Sequence, residues 1–117
     1  MQDASPIATA NSRQSEIVDL GPTNAIPLGE GRAYSIGARV VAVFRPREGG
    51  LYALDNACPH RGAALADGLV GEGSVICPLH AGKFELATGR GASDAARVRS
   101  YPVFVIDGRM SLVIEQD

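Results

Sequence analysis

From Glu16 onward, apolar residues come in short runs separated by turn residues, and no segment shows the spacing of a convincing amphipathic helix. The pattern predicts strands. EIVDL (16–20) is the first candidate, and GPTNAIPLGEG (21–31) reads as a loop. RAYSI (32–36) and ARVVAVF (38–44) follow, dense in β-branched and aromatic residues. A turn at 45–50 leads into LYALD (51–55). Between 56 and 90 glycine and proline are frequent. Only SVIC (74–77) and KFEL (83–86) look extended there, with one helical turn expected near Ala63–Asp67. ATGRGASDAA (87–96) is another loop. In the closing run, Asp107-Gly108 between two apolar segments predicts a two-residue hairpin. Met110, Leu112 and Ile114 share one face of its second strand.

This layout predicts an all-β fold: a small antiparallel domain with a Gly/Pro-rich insertion of about thirty residues between its strands. Loop regions of that length usually carry function or a cofactor. The segment 1–15 is polar and aperiodic and reads as a flexible tail, leaving 16–117 as one domain with its loop-rich part at about 56–90.

Composition narrows the function. A chain of 117 residues suits one domain, and a net charge of −2 gives no reason to expect nucleic acid or an anionic membrane as partner. No apolar run approaches the roughly 20 residues of a membrane-spanning helix. The first residues lack the basic start and apolar centre of a secretory signal, so the expected location is cytoplasmic. In a reducing compartment two cysteines point to metal or redox chemistry before a structural disulfide.

The chemistry gathers in one stretch. CPHRGAALADGLVGEGSVICPLHAGKF (58–84) holds both cysteines and both histidines of the chain, as Cys58-x-His60 and Cys77-x-x-His80. In an extended segment residues two apart point the same way, and in a turn residues three apart can converge. Pro59 and Pro78 stiffen the two boxes, and Gly62 and Gly82 let backbone approach a bulky centre. A structural zinc site is the natural competitor, but its usual spacing is C-x₂₋₄-C followed by H-x₃₋₅-H. Here the order alternates, and Cys58-x-His60 is tight for one small ion. A nucleophilic Cys/His pair leaves the duplicated boxes unexplained. No catalytic constellation is evident.

The paired boxes Cys58-Pro59-His60-Arg61-Gly62 and Cys77-Pro78-Leu79-His80, with Phe84 beyond, resemble the two cluster-binding boxes of the Rieske 2Fe-2S proteins. With the downstream TGR and YPVFVIDGRMSLVI runs, the resemblance covers most of residues 16–115. It implies a β sandwich with a loop-rich cluster-binding subdomain at one tip. It also implies a 2Fe-2S cluster with Cys58 and Cys77 on one iron and His60 and His80 on the other. Two ferric irons, two sulfides and two thiolates sum to a neutral oxidised centre, where four thiolates would leave it dianionic. Reduction is correspondingly easier, and such centres generally lie at roughly −150 to +300 mV.

In the respiratory-complex branch of that family, hydroxyls donate to the cluster from positions that are Gly82 and Phe84 here. A disulfide in that branch joins the positions of Ala63 and Leu79. With none of these, the resemblance implies a potential in the lower part of the range. Ala81 stands where the family usually has glycine, which bears on the shape of the second loop. The family also implies a one-electron carrier. Chain length sets aside the terminal oxygenases, and two systems remain. One is the small subunit of an NAD(P)H-dependent nitrite reductase, with a large flavin- and siroheme-containing subunit as partner. The other is a stand-alone Rieske ferredoxin that serves, with its reductase, an aromatic-ring dioxygenase. The first is the preferred expectation. A zinc-stabilised binding module is the non-redox alternative. Arg61, Lys83 and Arg90 are candidate docking charges, Phe84, Leu65 and Leu79 candidate shields of the site. Phe44, Tyr52 and Tyr101 are expected in or near the core.

Overall fold

The computed structural model describes residues 14–59, 62–79, 82–92 and 97–116. It is all-β, as the periodicity predicts. Among the described residues, ten strands form three antiparallel sheets, with two 3-10 turns in the connections. The terminal sheet joins β1 (Gln14–Pro22) to β10 (Arg109–Gln116), and β10 to β9 (Val103–Ile106). The central sheet runs in the order β2 (Glu30–Ile36), β3 (Arg39–Arg45), β4 (Tyr52–Asp55) and β8 (Ser100–Tyr101). The third sheet contains β5 (Leu69–Gly71), β6 (Ser74–Ile76) and β7 (Lys83–Glu85).

β3 organises the molecule. Val41, Ala42, Val43 and Phe44 are all buried, so this strand is covered on both faces. That explains its near-continuous apolar run, where a half-exposed strand would alternate. Val41 and Val43 pack with Ala53, Met110, Leu112 and Ile114 against the terminal sheet. Ala42 and Phe44 pack the other way, with Leu54, Leu65, Val75 and Phe84. Each fully buried large side chain contributes about 1.5–3 kcal/mol of hydrophobic stabilisation.

The hairpin forms as predicted. Ile106 pairs with Arg109, and the two turn residues Asp107 and Gly108 both have positive φ, at 54° and 77°. This is the left-handed pair that a tight hairpin requires. Met110, Leu112 and Ile114 are all buried on one face, as their spacing indicates.

Other details refine the expectation. β1 starts at Gln14, where Gln14 and Ser15 pair with Gln116 and Glu115, and the rest of the expected tail, 1–13, lies outside the described residues. A register shift between Asp19 and Gly21 lets β1 run on to Pro22, into the expected loop. Ile26, in the same expected loop, is fully buried. β5 has no counterpart in the sequence reading, because its three residues pair with β6 without a recognisable period. The helical turn near Ala63–Asp67 is a 3-10 turn at Leu65–Asp67.

Candidate metal centre

The two boxes form two loops of matching construction. In the first, Ala57 pairs with Ala64, and the Cys58 N–H donates to the Ala63 carbonyl at 2.9 Å. In the second, Ile76 pairs with Lys83, and the Cys77 N–H donates to the Gly82 carbonyl at 2.7 Å. Each cysteine therefore begins a six-residue loop closed by its own backbone, and each loop carries one histidine. The Gly62 N–H tightens the first by donating to the Cys58 carbonyl at 2.8 Å. Gly62 does so with φ of +71°, a conformation in which a side chain is strained. His60, Arg61, His80 and Ala81 lie outside the described residues, so the expectations placed on them are carried forward as proposals.

Both cysteine side chains point into the core. Cys58 is 2% and Cys77 1% exposed, neither is in a disulfide, and both belong to the apolar cluster with Leu65, Val75 and Phe84. Two thiolates in such surroundings need a compensating positive charge. A ferric centre held by these cysteines would supply that charge. The donor set of two buried sulfurs, with an imidazole on each loop, thus fits an iron–sulfur cluster. Phe84 and Leu65 are buried in the same cluster of side chains as the cysteines, whereas Leu79 is 63% exposed. Lys83 and Arg90 are exposed near these loops.

The sequence reading did not single out Asn56. Its backbone N–H donates to the Val40 carbonyl at 3.1 Å, and its carbonyl accepts from Leu65 at 2.7 Å. Its side-chain Oδ1 accepts from the Ala66 N–H at 3.0 Å. Asn56 thus ties the first loop to both β3 and the 3-10 turn. The only sequence signal was its place directly after a strand, two residues before Cys58. Tyr101, expected near the core, is buried at the edge of the central sheet and donates a short hydrogen bond to Asp55 Oδ1. Burial, and after it the Asp55 carboxylate, raises the Tyr101 phenol above its ordinary pKa.

Comparison with known proteins agrees with this geometry. Residues 16–102 match the family model for the Rieske [2Fe-2S] domain. The ferredoxin component of the naphthalene 1,2-dioxygenase/salicylate 5-hydroxylase systems of a Ralstonia species is 30% identical over 84% of this chain and 95% of the relative. A Mycobacterium tuberculosis protein described as an NADH-dependent nitrite reductase small subunit superposes with a TM-score of 0.80. It is 25% identical, over 86% of this chain and 96% of that one. The ferredoxin of carbazole 1,9a-dioxygenase from Nocardioides aromaticivorans gives 0.75 and 27%, over 82% and 95%.

Proposed function

The chain belongs to the Rieske [2Fe-2S] domain family, and we propose that Cys58 and Cys77 bind one iron of its cluster and His60 and His80 the other. The bound cluster supplies a single reversible electron. The protein supplies the rest. Two closed loops fix the thiols, the apolar cluster around them excludes water, and the histidine-bearing loop segments form the route by which electrons enter and leave. The observation that carries this reading is the matched construction of the two loops, each with a buried cysteine at its base.

The role is one-electron carriage between proteins. Sequence identity favours a ferredoxin component delivering electrons to an oxygenase, since the dioxygenase relative matches at 30% over 84% of this chain. Shape favours the nitrite reductase small subunit, through the TM-score of 0.80. Identity over that much of the chain discriminates partners better than a small difference in superposition, so the oxygenase system is the preferred partner. Neither role requires the bilayer: among the described residues no helix is long and apolar enough to cross a membrane. The test is reconstitution followed by co-purification from the native host. Iron and labile sulfide in equal amounts, with an oxygenase or its reductase recovered, support the reading. A siroheme protein recovered in their place would move the role to nitrite reduction. Colourless protein holding zinc would end the carrier reading altogether.

A further inference from the structure

The segment that ties the cluster-binding sheet to the central sheet is rich in arginine. Residues 90–92 run along β7, with the Glu85 N–H donating to the Arg90 carbonyl and the Ala92 N–H to the Lys83 carbonyl, both at 2.9 Å. Arg90 then sits directly opposite Arg97 in an antiparallel bridge. The Val98 N–H holds the two backbones together by donating to the Gly89 carbonyl at 2.9 Å. The approach is so close that a Cβ on Gly89 would overlap the Val98 carbonyl. From Arg97 the chain runs into β8. Val98 is buried while Arg97 and Arg99 are exposed, so both arginines fall on the side of the segment that Tyr101 also occupies. The Arg99 guanidinium lies over the Tyr101 ring at 5.5 Å from its centroid, and that of Arg39 at 5.7 Å. Arg39 Nη1 also donates to the Tyr101 hydroxyl at 3.4 Å.

Arg90, opposite Arg97, and then Arg99 follow one another along this segment as a row of arginines, and Arg39 stands with Arg99 at Tyr101, whose hydroxyl also meets the Asp55 carboxylate. Like charges directly opposite in a sheet are destabilising. Among the described residues no carboxylate lies within ion-pair distance of Arg90 or Arg97. The row also runs against the net charge of −2, since residues 88–101 carry three arginines and a single acid, Asp94, which lies outside the described residues.

We propose that this row is a docking edge for the acidic face of the redox partner protein. The proposal rests on the electron-carrier reading above. Opposed arginines cost stability in the isolated chain and gain it when a complementary surface arrives. Their field raises the encounter rate with an anionic partner. β7 leaves the Cys77 loop at Gly82, so a partner held beside Arg90 lies against the cluster-binding sheet.

The test uses the reduced, cluster-loaded protein and two small oxidants of opposite charge, ferricyanide and hexaammineruthenium(III). The ferricyanide rate should fall about tenfold from low to physiological ionic strength, despite the negative net charge of the protein. The ruthenium rate should not fall. Polyglutamate should slow the ferricyanide reaction. The double variant Arg90→Glu/Arg97→Glu should reverse the salt dependence and lose the polyglutamate effect. Arg90→Gln/Arg97→Gln, which relieves the like-charge pair, should flatten both and serves if the reversal does not fold. A control with the same charge change, Arg32→Glu/Arg47→Glu, alters β2 at the far edge of the central sheet and the turn between β3 and β4. It should behave as the wild type. The proposal is overturned if the wild-type ferricyanide rate rises with salt, or if the control matches the row variants. Retention of a short DNA duplex at physiological salt would reassign the edge to nucleic acid. A preparation without iron and sulfide fails the carrier reading itself, whereas a loaded protein indifferent to oxidant charge fails only the docking proposal.

Discussion

The two faces of β3 are packed by different means. On one, Val41 and Val43 meet Ala53, Met110, Leu112 and Ile114, side chains without a thiol or imidazole. The covering sheet is tied by a long register between β1 and β10 and by a two-residue hairpin. On the other face, Ala42 and Phe44 meet Leu65, Val75, Phe84 and the two cysteines. There the covering strands are three residues each, joined by loops and preceded by the 3-10 turn. The first face completes itself with hydrocarbon and backbone pairing. The second carries two thiols, so on the ligand set proposed above its cohesion would depend on the bound cluster.

Cluster removal is the largest test of this difference. Amide hydrogen exchange on the cluster-free protein should show protection lost at Val75, Leu86 and Val98 and retained at Leu112 and Ile114. Equal loss on both faces would break the comparison. Next come paired core truncations. Phe84→Ala should cost about 3–5 kcal/mol and Leu112→Ala about 2–5 kcal/mol in denaturant unfolding. Only Phe84→Ala should also shorten the lifetime of the bound cluster, read by the decay of visible absorbance. A matching loss of cluster from Leu112→Ala would show that the faces are not independent.

A smaller effect concerns the potential. Phe84 is buried in the cluster of side chains that holds both cysteines and carries no hydroxyl. The midpoint of the wild type should therefore fall in the lower part of the range for His₂-ligated centres. Phe84→Tyr should raise it by about 40 mV, the one-electron equivalent of a hydrogen bond worth about 1 kcal/mol. Voltammetry that finds the wild type near the upper end would contradict this account of the site's surroundings.

The smallest effect lies on the terminal sheet. The Arg109 guanidinium, hydrogen-bonded to Asp19 at 2.7 Å, and secondly the Gly21 N–H hold the Asp19 carboxyl below its ordinary value of 3.8. A carboxyl lowered by folding adds stability above its unfolded pKa and loses it as the pH falls through the folded value. Asp19→Asn should therefore destabilise the β1–β10 pairing at neutral pH. The difference from wild type should shrink once the pH drops below about 3.8. Chemical shifts of the Val18 and Met110 amides read this locally, apart from any loss of cluster. A difference that persists unchanged into strong acid would remove the pair from the account.

Legibility in the sequence divides along the same line. β3, β4, the hairpin and the buried face of β10 were readable because alternation, β-branching and Asp107-Gly108 are local signals. The family was readable because two boxes each pair a thiol with an imidazole, and residues 16–102 match its model. Ile26 was not, since nothing near it marks which loop residue a distant sheet will cover. β5 was not, because three residues are too few to show a period. Asn56 and the opposition of Arg90 to Arg97 depend on pairings between segments, which no local pattern encodes.

The central claim is that a thiol from each loop and an imidazole from each loop share the cluster. Electron–nuclear double resonance on the reduced protein, grown with ¹⁵N-labelled histidine, tests it directly. Couplings from two distinct imidazole nitrogens are expected, and loss of one in each of His60→Ala and His80→Ala would assign them. A cluster that assembles and shows no histidine nitrogen coupling would contradict the account.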